Sequence, residues 1–376
     1  MVRSGPRLGI YIHVPFCAAR CGYCDFNTYV PNGPGQQEGF VQAALAELRL
    51  ARQELGTRPA STVFFGGGTP SLLGAEALVR LLAGVAETVG VQAQAEVTTE
   101  ANPESVGPAA FRTLRRGGFT RVSLGMQSSA PHVLRALDRV HTPGRAVAAA
   151  REAREAGFAH ISLDLIYGTP GETDGDWERT LSDALSAEPD HISAYALTVE
   201  PGTALAAAIR RGAARAPDDG EQAWRYLVAE DTLRAAGLHW YELSNWAASD
   251  AARCHHNIGY WRSQDWWGIG PGAHSHLDGV RWWNVRRPAD YARRLREGAS
   301  PAAGREQLSP QQRALEAVML GLRMREGLPV ATLGEGVSAA LAAQVAGERV
   351  VVRDGRVRLT RTGRLFADAV VRALSG

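Results

Sequence analysis

The sequence predicts an α/β fold: a (β/α)6 partial TIM barrel followed by a small winged-helix-like C-terminal module. Short β-rich runs alternate with Ala- and Arg-rich helical patterns through residues 1–200. Strands separated by helical segments argue for a parallel sheet with right-handed crossovers. Residues able to do chemistry fall at the C-terminal ends of those runs, where barrels keep their sites. The tail reads helix, helix, hairpin, helix. A doubly wound sheet is the competing architecture.

The first run is Gly9 to Val14, and Gln36 to Leu55 then has helical spacing of Leu and Ala. Thr62 to Phe65 is apolar and stops at Gly66-Gly67-Gly68; Ala75 to Val89 is helical again. Strand-like runs follow at Ala95–Thr99, Arg121–Leu124, Ile161–Leu165 and Ile192–Leu197, separated by helical patterns such as Gly144–Ala156 and Trp177–Ala187. Asp219–Ala236 is a further helix and His239–Asn245 an added strand, so residues 1–240 form the barrel unit. Residues 241–300 form a second unit that closes the barrel mouth. Within it, 250–290 is rich in Trp, His, Gly and Arg with little helical periodicity, and reads as a long structured loop of the kind that is usually functional.

Residues 301–376 are the tail module. Pro310–Met324 and Ser338–Ala346 read as helices. Val350–Arg353 and Val357–Thr360 form a hairpin across Asp354-Gly355, a pair that favours a type I′ turn, and Thr362–Leu374 closes the module. Arg353, Arg356, Arg358, Arg361 and Arg364 permit a DNA-binding reading of this module; a solvated charged face is the plainer one.

Composition sets the outer limits. The chain has 376 residues, enough for two to three domains, with 45% hydrophobic and 21% charged residues, which excludes global disorder and fibrous repeats. The formal net charge is +2, with every positive side chain an Arg, too small a balance to argue for nucleic acid or an anionic membrane surface. No apolar run is long enough for a membrane helix, and no signal peptide is visible, so the expected location is cytoplasmic with at most peripheral membrane contact.

Of four cysteines, Cys17, Cys21 and Cys24 lie within eight residues directly after the first strand, and Cys254 is remote. In a cytosolic chain such a cluster points to metal binding or catalysis rather than disulfides. Thiolates are the natural ligands of iron–sulfur clusters; four irons normally take four, so three leave one iron open. Structural zinc is the alternative, with His13, Asp25 or Cys254 as fourth ligand, although zinc sites usually pair their cysteines as two knuckles. The second strand ends at Gly66-Gly67-Gly68-Thr69-Pro70-Ser71, where backbone can approach a ligand and amides can bind a carboxylate; a plain strand-to-helix turn has the same look. The third strand ends at Glu100, the fourth at Gln127, the fifth at Asp164 and the sixth near Tyr195. A carboxylate such as Glu100 accepts hydrogen bonds from ribose hydroxyls or forms a structural salt bridge.

The spacing Cys17-x3-Cys21-x2-Cys24 on the loop after the first barrel strand resembles the radical SAM superfamily. That resemblance implies a [4Fe–4S] cluster whose open iron is chelated by the amino and carboxylate groups of S-adenosylmethionine. Electron transfer from the cluster then cleaves the sulfonium and makes a 5′-deoxyadenosyl radical. Tyr11-Ile12-His13-Val14-Pro15-Phe16-Cys17, Gly66 to Ser71, Ser123-Leu124-Gly125-Met126-Gln127-Ser128 and Asp164-Leu165-Ile166-Tyr167-Gly168-Thr169-Pro170-Gly171 resemble the HemN/HemW family over most of the chain, tail included. The family holds oxygen-independent coproporphyrinogen III oxidases and heme chaperones. The resemblance implies that Cys17, Cys21 and Cys24 hold the cluster. It implies that Tyr11, Tyr23, Gly67, Gly68, Thr69, Glu100, Gln127, Arg139 and Asp164 line the S-adenosylmethionine site.

Two features lean to the chaperone branch. The oxidases resemble Cys-x3-Cys-x2-Cys-x-Cys, and here the last position is Phe26; only sixteen residues precede Cys17, too few for the oxidases' longer arm. His256-Asn257-Ile258-Gly259-Tyr260-Trp261 resembles the H-N-x-x-Y-W motif of the chaperones. A neutral imidazole is the usual axial ligand of heme iron, and Tyr260 and Trp261 can pack on a porphyrin face. A buried structural histidine is the plainer reading of His256, and His255 and Cys254 compete as ligands. The expected function is a radical SAM heme chaperone that binds heme and delivers it to acceptor hemoproteins, served by an electron donor for its cluster and independent of nucleic acid. The alternative is oxidative decarboxylation of coproporphyrinogen III to protoporphyrinogen IX. A zinc-stabilised DNA-binding regulator is a distant third.

Overall fold

The computed structural model describes residues 7–31, 33–56, 58–139, 142–334 and 336–375. The chain alternates from its start: β1 (Leu8–Val14), α1 (Pro34–Leu55), β2 (Ala60–Gly67), α2 (Ala75–Thr88), β3 (Val91–Ala101), α3 (Pro108–Arg116), β4 (Arg121–Gln127), α4 (Pro131–Ala136), α5 (Arg145–Glu155), β5 (His160–Tyr167), α6 (Asp174–Leu185) and β6 (His191–Ala196). The six strands lie side by side in chain order and pair in parallel. Their sequences require cover on both faces: Ile10, Ile12, Val63, Phe65, Val122 and Ile161 are wholly buried. The helices supply it. Leu78, Leu81, Leu82 and Val85 recur at helical spacing on the buried face of α2. Each such side chain contributes roughly 1.5–3 kcal/mol when fully buried. The starts are encoded locally: Thr173 and Asp176 form a capping box on α6, and Pro108 opens α3.

The six strands and their crossovers match the expected partial barrel, but the sheet does not close. It runs to twelve strands in the order β12-β11-β10-β9-β1-β2-β3-β4-β5-β6-β8-β7. After α7 (Ala204–Arg210) and α8 (Asp219–Ala235), the single strand expected at 239–245 is a hairpin, β7 (His239–Glu242) and β8 (Asn245–Ala247), with β8 antiparallel to β6. Residues 250–290 are not an irregular loop. They hold α9 (His255–Trp261), β9 (Asp265–Ile269), β10 (His274–Leu277) and β11 (Val280–Asn284), followed by α10 (Pro288–Arg296). β9 lies parallel to β1, and β10, β11 and β12 (Ala302–Gln307) continue the sheet antiparallel. The strands are short and their aromatics are half-buried on both faces, so neither period stands out. The pairing of β12 with β11 also carries residues 302–307 into the large unit, past the boundary expected at 301.

The tail folds as α11 (Pro310–Gly321), β13 (Leu328–Pro329), α12 (Ser338–Ala346), β14 (Val350–Arg353), β15 (Arg356–Leu359), α13 (Arg361–Leu365) and α14 (Ala367–Leu374) around its own core of Val318, Leu322, Val357 and Val370. Asp354 and Gly355 both have positive φ, 53° and 68°, as a type I′ turn needs. Four of the five tail arginines hold the structure together: Arg364 pairs with Glu230 at 2.9 Å, Arg361 with Asp231, Arg356 donates to the carbonyls of Glu326 and Gly327, and Arg358 donates to the Glu326 carbonyl at 3.4 Å. α11 crosses the gap between the two ends of the open sheet. Its Glu316 pairs with Arg281 of β11 at 2.5 Å, and just beyond its end Met324 bridges to Glu242 of β7. Among the described residues no helix is long and apolar enough to cross a membrane.

Candidate cluster and cofactor site

The cysteine loop leaves the C-terminal end of β1 and is closed at its base. Cys17 N–H donates to the Tyr29 carbonyl at 3.0 Å, Tyr29 N–H donates to the Pro15 carbonyl at 2.7 Å, and Phe16 is wholly buried edge-on to Phe40. The loop therefore keeps its place whatever its tip carries. Cys17, Cys21 and Cys24 are free thiols, partly exposed. Burial pushes the Cys21 and Cys24 thiols up, opposed at Cys21 by the Arg139 guanidinium and at Cys24 by the Phe26 amide. Among the described residues no three His, Cys, Asp or Glu side chains gather closely enough to hold a single metal ion. A cluster asks something different of its loop, since each thiolate binds its own iron.

The glycine run ending β2 is pressed against that loop. A Cβ on Gly68 would lie 2.5 Å from the Phe16 carbonyl and 3.0 Å from Cys17 Sγ, so only glycine fits. Gly67 combines φ +109° with His13 Nδ1 at 2.6 Å from any added Cβ. Thr69 N–H donates to the Phe16 carbonyl at 2.7 Å, and its hydroxyl reaches Cys17 Sγ at 3.7 Å. Gly67, Gly68 and Thr69 thus border the cysteine loop.

Behind the glycines sit two carboxyls with few cationic partners. Glu100 accepts from Gly67 N–H at 3.3 Å, and burial, then the like charge of Asp164, pushes its carboxyl up to about 8. Burial also raises Asp164, which is held by the hydroxyls of Ser123, at 2.9 Å, and of Ser193. Arg139 hydrogen-bonds the Tyr23 phenol and approaches Cys21, while its Nε is buried without a partner among the described residues. It is not a solvated surface Arg. Gln127 is buried with φ +64°, at a bulge between β4 and β5, and turns its amide back over Gly125. A strained non-glycine backbone of this kind recurs at functional sites. Tyr11 completes the wall, its hydroxyl bonded to His13 Nδ1 at 3.1 Å.

His256 lies a layer below that wall. The structure places it towards the N-terminal ends of the strands, where its ring lies 3.1 Å from any Cβ on Gly9 and stacks on Tyr11 at 6.3 Å. It is 3% exposed, stacks on Phe64 at 5.1 Å, and shares one ring nitrogen with the Thr62 hydroxyl and the other with the Tyr260 hydroxyl, both at 2.8 Å. Burial lowers its pKa to about 3. Both ring nitrogens are hydrogen-bonded within the fold, and α9 plugs the N-terminal end of the strands instead of crossing their mouth. Cys254 is equally committed, buried with its thiol 3.8 Å from Glu96, which also accepts from the amides of His255 and His256. It cannot complete a zinc site with the cysteine loop. His13, the other near candidate, spends its second nitrogen on the Asn27 carbonyl at 3.0 Å.

Two supports escaped sequence reasoning. Asn27 ties the cysteine loop to the segments after β9 and β11, donating to the carbonyls of Pro271 and Arg286 at 3.0 Å each. Glu47 of α1 is fully enclosed and accepts from Gly270 N–H, the Asn284 amide and the Tyr291 hydroxyl. A polar residue on an otherwise apolar helical face was the only signal for Glu47.

Residues 11–184 match the radical SAM superfamily model and residues 308–366 the HemN C-terminal domain model. A protein named heme chaperone HemW from Mycobacterium tuberculosis (strain ATCC 25618 / H37Rv) is 52% identical over 99% of this chain and 96% of its own length. A protein of the same name from Bacillus subtilis (strain 168) is 30% identical over 97% and 98%. The solved coproporphyrinogen III oxidase (HemN) from Escherichia coli superposes with a TM-score of 0.84 over 98% of this chain and 90% of that one, at 22% identity, a likeness of fold alone. The chain therefore belongs to the HemW family of the radical SAM superfamily, a membership that implies a [4Fe–4S] cluster and S-adenosylmethionine.

Proposed function

We propose that this protein binds heme and hands it to acceptor hemoproteins, with a [4Fe–4S] cluster held by Cys17, Cys21 and Cys24 and S-adenosylmethionine beside it. The observation that carries the reading is the near full-length identity to chains named heme chaperone HemW, with Phe26, not a cysteine, two positions after Cys24. The site's residues fit the cofactors. Three free thiols stand on a loop whose base is fixed without them, and glycines lie where a side chain would collide with Cys17. Glu100 and Asp164 offer two buried carboxyls to a cationic ligand, while Arg139 suits its carboxylate. When bound, the cluster supplies one-electron reduction, fed by an external donor. Phe26 is 58% exposed on the same loop.

An anaerobic assay of cluster-reconstituted protein with coproporphyrinogen III, S-adenosylmethionine and a strong reductant separates the two branches. The chaperone reading expects no protoporphyrinogen IX. Its formation over many turnovers would make the chain an oxidase and end that reading.

A further inference from the structure

A cavity of about 430 Å3 lies between the barrel and the tail. This is within the roughly 300–1,000 Å3 typical of small-molecule sites. Its inner wall is Tyr11 and His13, its sides are Tyr260, Trp261 and Trp266, and Leu320 of α11 covers it. Rings line two sides and a branched aliphatic the third, the surroundings a flat apolar macrocycle needs.

His274 stands at its rim. Unlike His256 it is exposed, and no described residue hydrogen-bonds its ring nitrogens. Its placement is nonetheless fixed. Trp266 Nε1 donates to its carbonyl at 2.9 Å, its ring stacks on Trp283 at 5.9 Å and 27°, and the missing Cβ of Gly268 leaves room for its backbone at 2.2 Å. Partial burial, then the Arg286 guanidinium, lowers its pKa, which favours the neutral imidazole. Arg286 is itself exposed beside it and can meet acidic groups at a macrocycle's edge.

We propose that this cavity takes the heme, with His274 as the protein ligand to its iron and Arg286 facing its propionates. The proposal rests on the chaperone reading above and gives it a place. A neutral imidazole with an open nitrogen is the usual partner of heme iron. It would also set the porphyrin against Tyr11 and His13, the residues that border the cluster site from the other side.

The test is a ferric heme titration of cluster-loaded protein, read as difference absorption in the Soret region and by the heme EPR signal. Wild type, His274→Ala, His256→Ala and Leu320→Trp are compared. The expected result is stoichiometric binding by wild type and an affinity lower by at least about tenfold in His274→Ala, with an altered spin state restored by added imidazole. Leu320→Trp, which fills the cavity but keeps His274, should also bind more weakly. His256→Ala should keep the wild-type spectrum at temperatures where it is folded. An unchanged affinity and spectrum in His274→Ala would overturn the proposal and leave the chaperone reading standing. Loss of the ligand in folded His256→Ala but not in His274→Ala would do the same. Failure of wild type to bind heme would overturn both.

Discussion

The two ends of the parallel strands hold different sets of buried polar groups. At the N-terminal end, every group just described is matched by the fold. His256 is bonded at both nitrogens, His191 likewise between Ser162 and Tyr241 at 2.8 Å each, and Glu96 accepts from two amides of α9. At the C-terminal end, among the described residues, Glu100 accepts from the Gly67 amide at 3.3 Å, Arg139 Nε has no partner, and Gln127 holds a left-handed backbone. Desolvated polar groups with incomplete partners are costly. The incomplete partners of Glu100 and Arg139 mark where a ligand would complete the set; α9 fills the other end, although His160 Nδ1 and Trp261 Nε1 are themselves buried there without a partner among the described residues.

Removing the cluster ligands should give the largest effect. Replacing Cys17, Cys21 or Cys24 by Ala should take the reconstituted protein from about four irons per chain towards none, while far-ultraviolet circular dichroism stays unchanged because the Phe16–Tyr29 closure holds the loop. Retention of full iron by any single variant would show that its thiol is not a ligand. Next is the plug. His256→Ala should lower unfolding stability by about 2–4 kcal/mol, through lost packing on Phe64 and stranded hydroxyls on Thr62 and Tyr260. The exposed His274→Ala should cost under about 0.5 kcal/mol. Equal costs in denaturant melts would erase the distinction between the two ends.

Glu47→Ala removes the acceptor shared by Gly270, Asn284 and Tyr291 and should cost about 2–3 kcal/mol, with faster amide exchange at Gly270. Exchange at Gly270 as slow as in wild type would show that Glu47 does not hold that turn. The smallest effect sharpens the cofactor end. A cation bound beside Glu100 favours its ionised form, and burial holds that carboxyl at about 8, so below that pH binding must expel a proton. S-adenosylmethionine affinity should then rise with pH and level near 8, by at most about tenfold per unit, and Glu100→Gln should flatten that portion. Identical profiles for the two proteins would remove Glu100 from the site.

The cofactor end was legible because it is written in backbone. Three cysteines at fixed spacing, a glycine run with nowhere to put a Cβ, and one polar residue at each strand end are local signals, and the alternation of β1 to β6 with helices followed from burial on both faces. The 255–307 region was not legible. Its strands are short, its aromatics serve two faces, and β9 pairs with a strand, β1, at the far end of the sequence. The ligand role for His256 followed from a motif whose side-chain bonds, to Thr62 and Tyr260, exist only in the folded chain. Nothing in the order of residues tells a histidine whose nitrogens are taken from one, His274, whose nitrogens are open.

Heme transfer tests the account most directly. Cluster-reconstituted, heme-loaded protein would be mixed with an apo-hemoprotein under anaerobic conditions while the acceptor's absorption spectrum is followed. The account predicts stoichiometric transfer by direct contact, with a rate that rises with acceptor concentration. A rate that equals spontaneous heme dissociation and ignores the acceptor would contradict it.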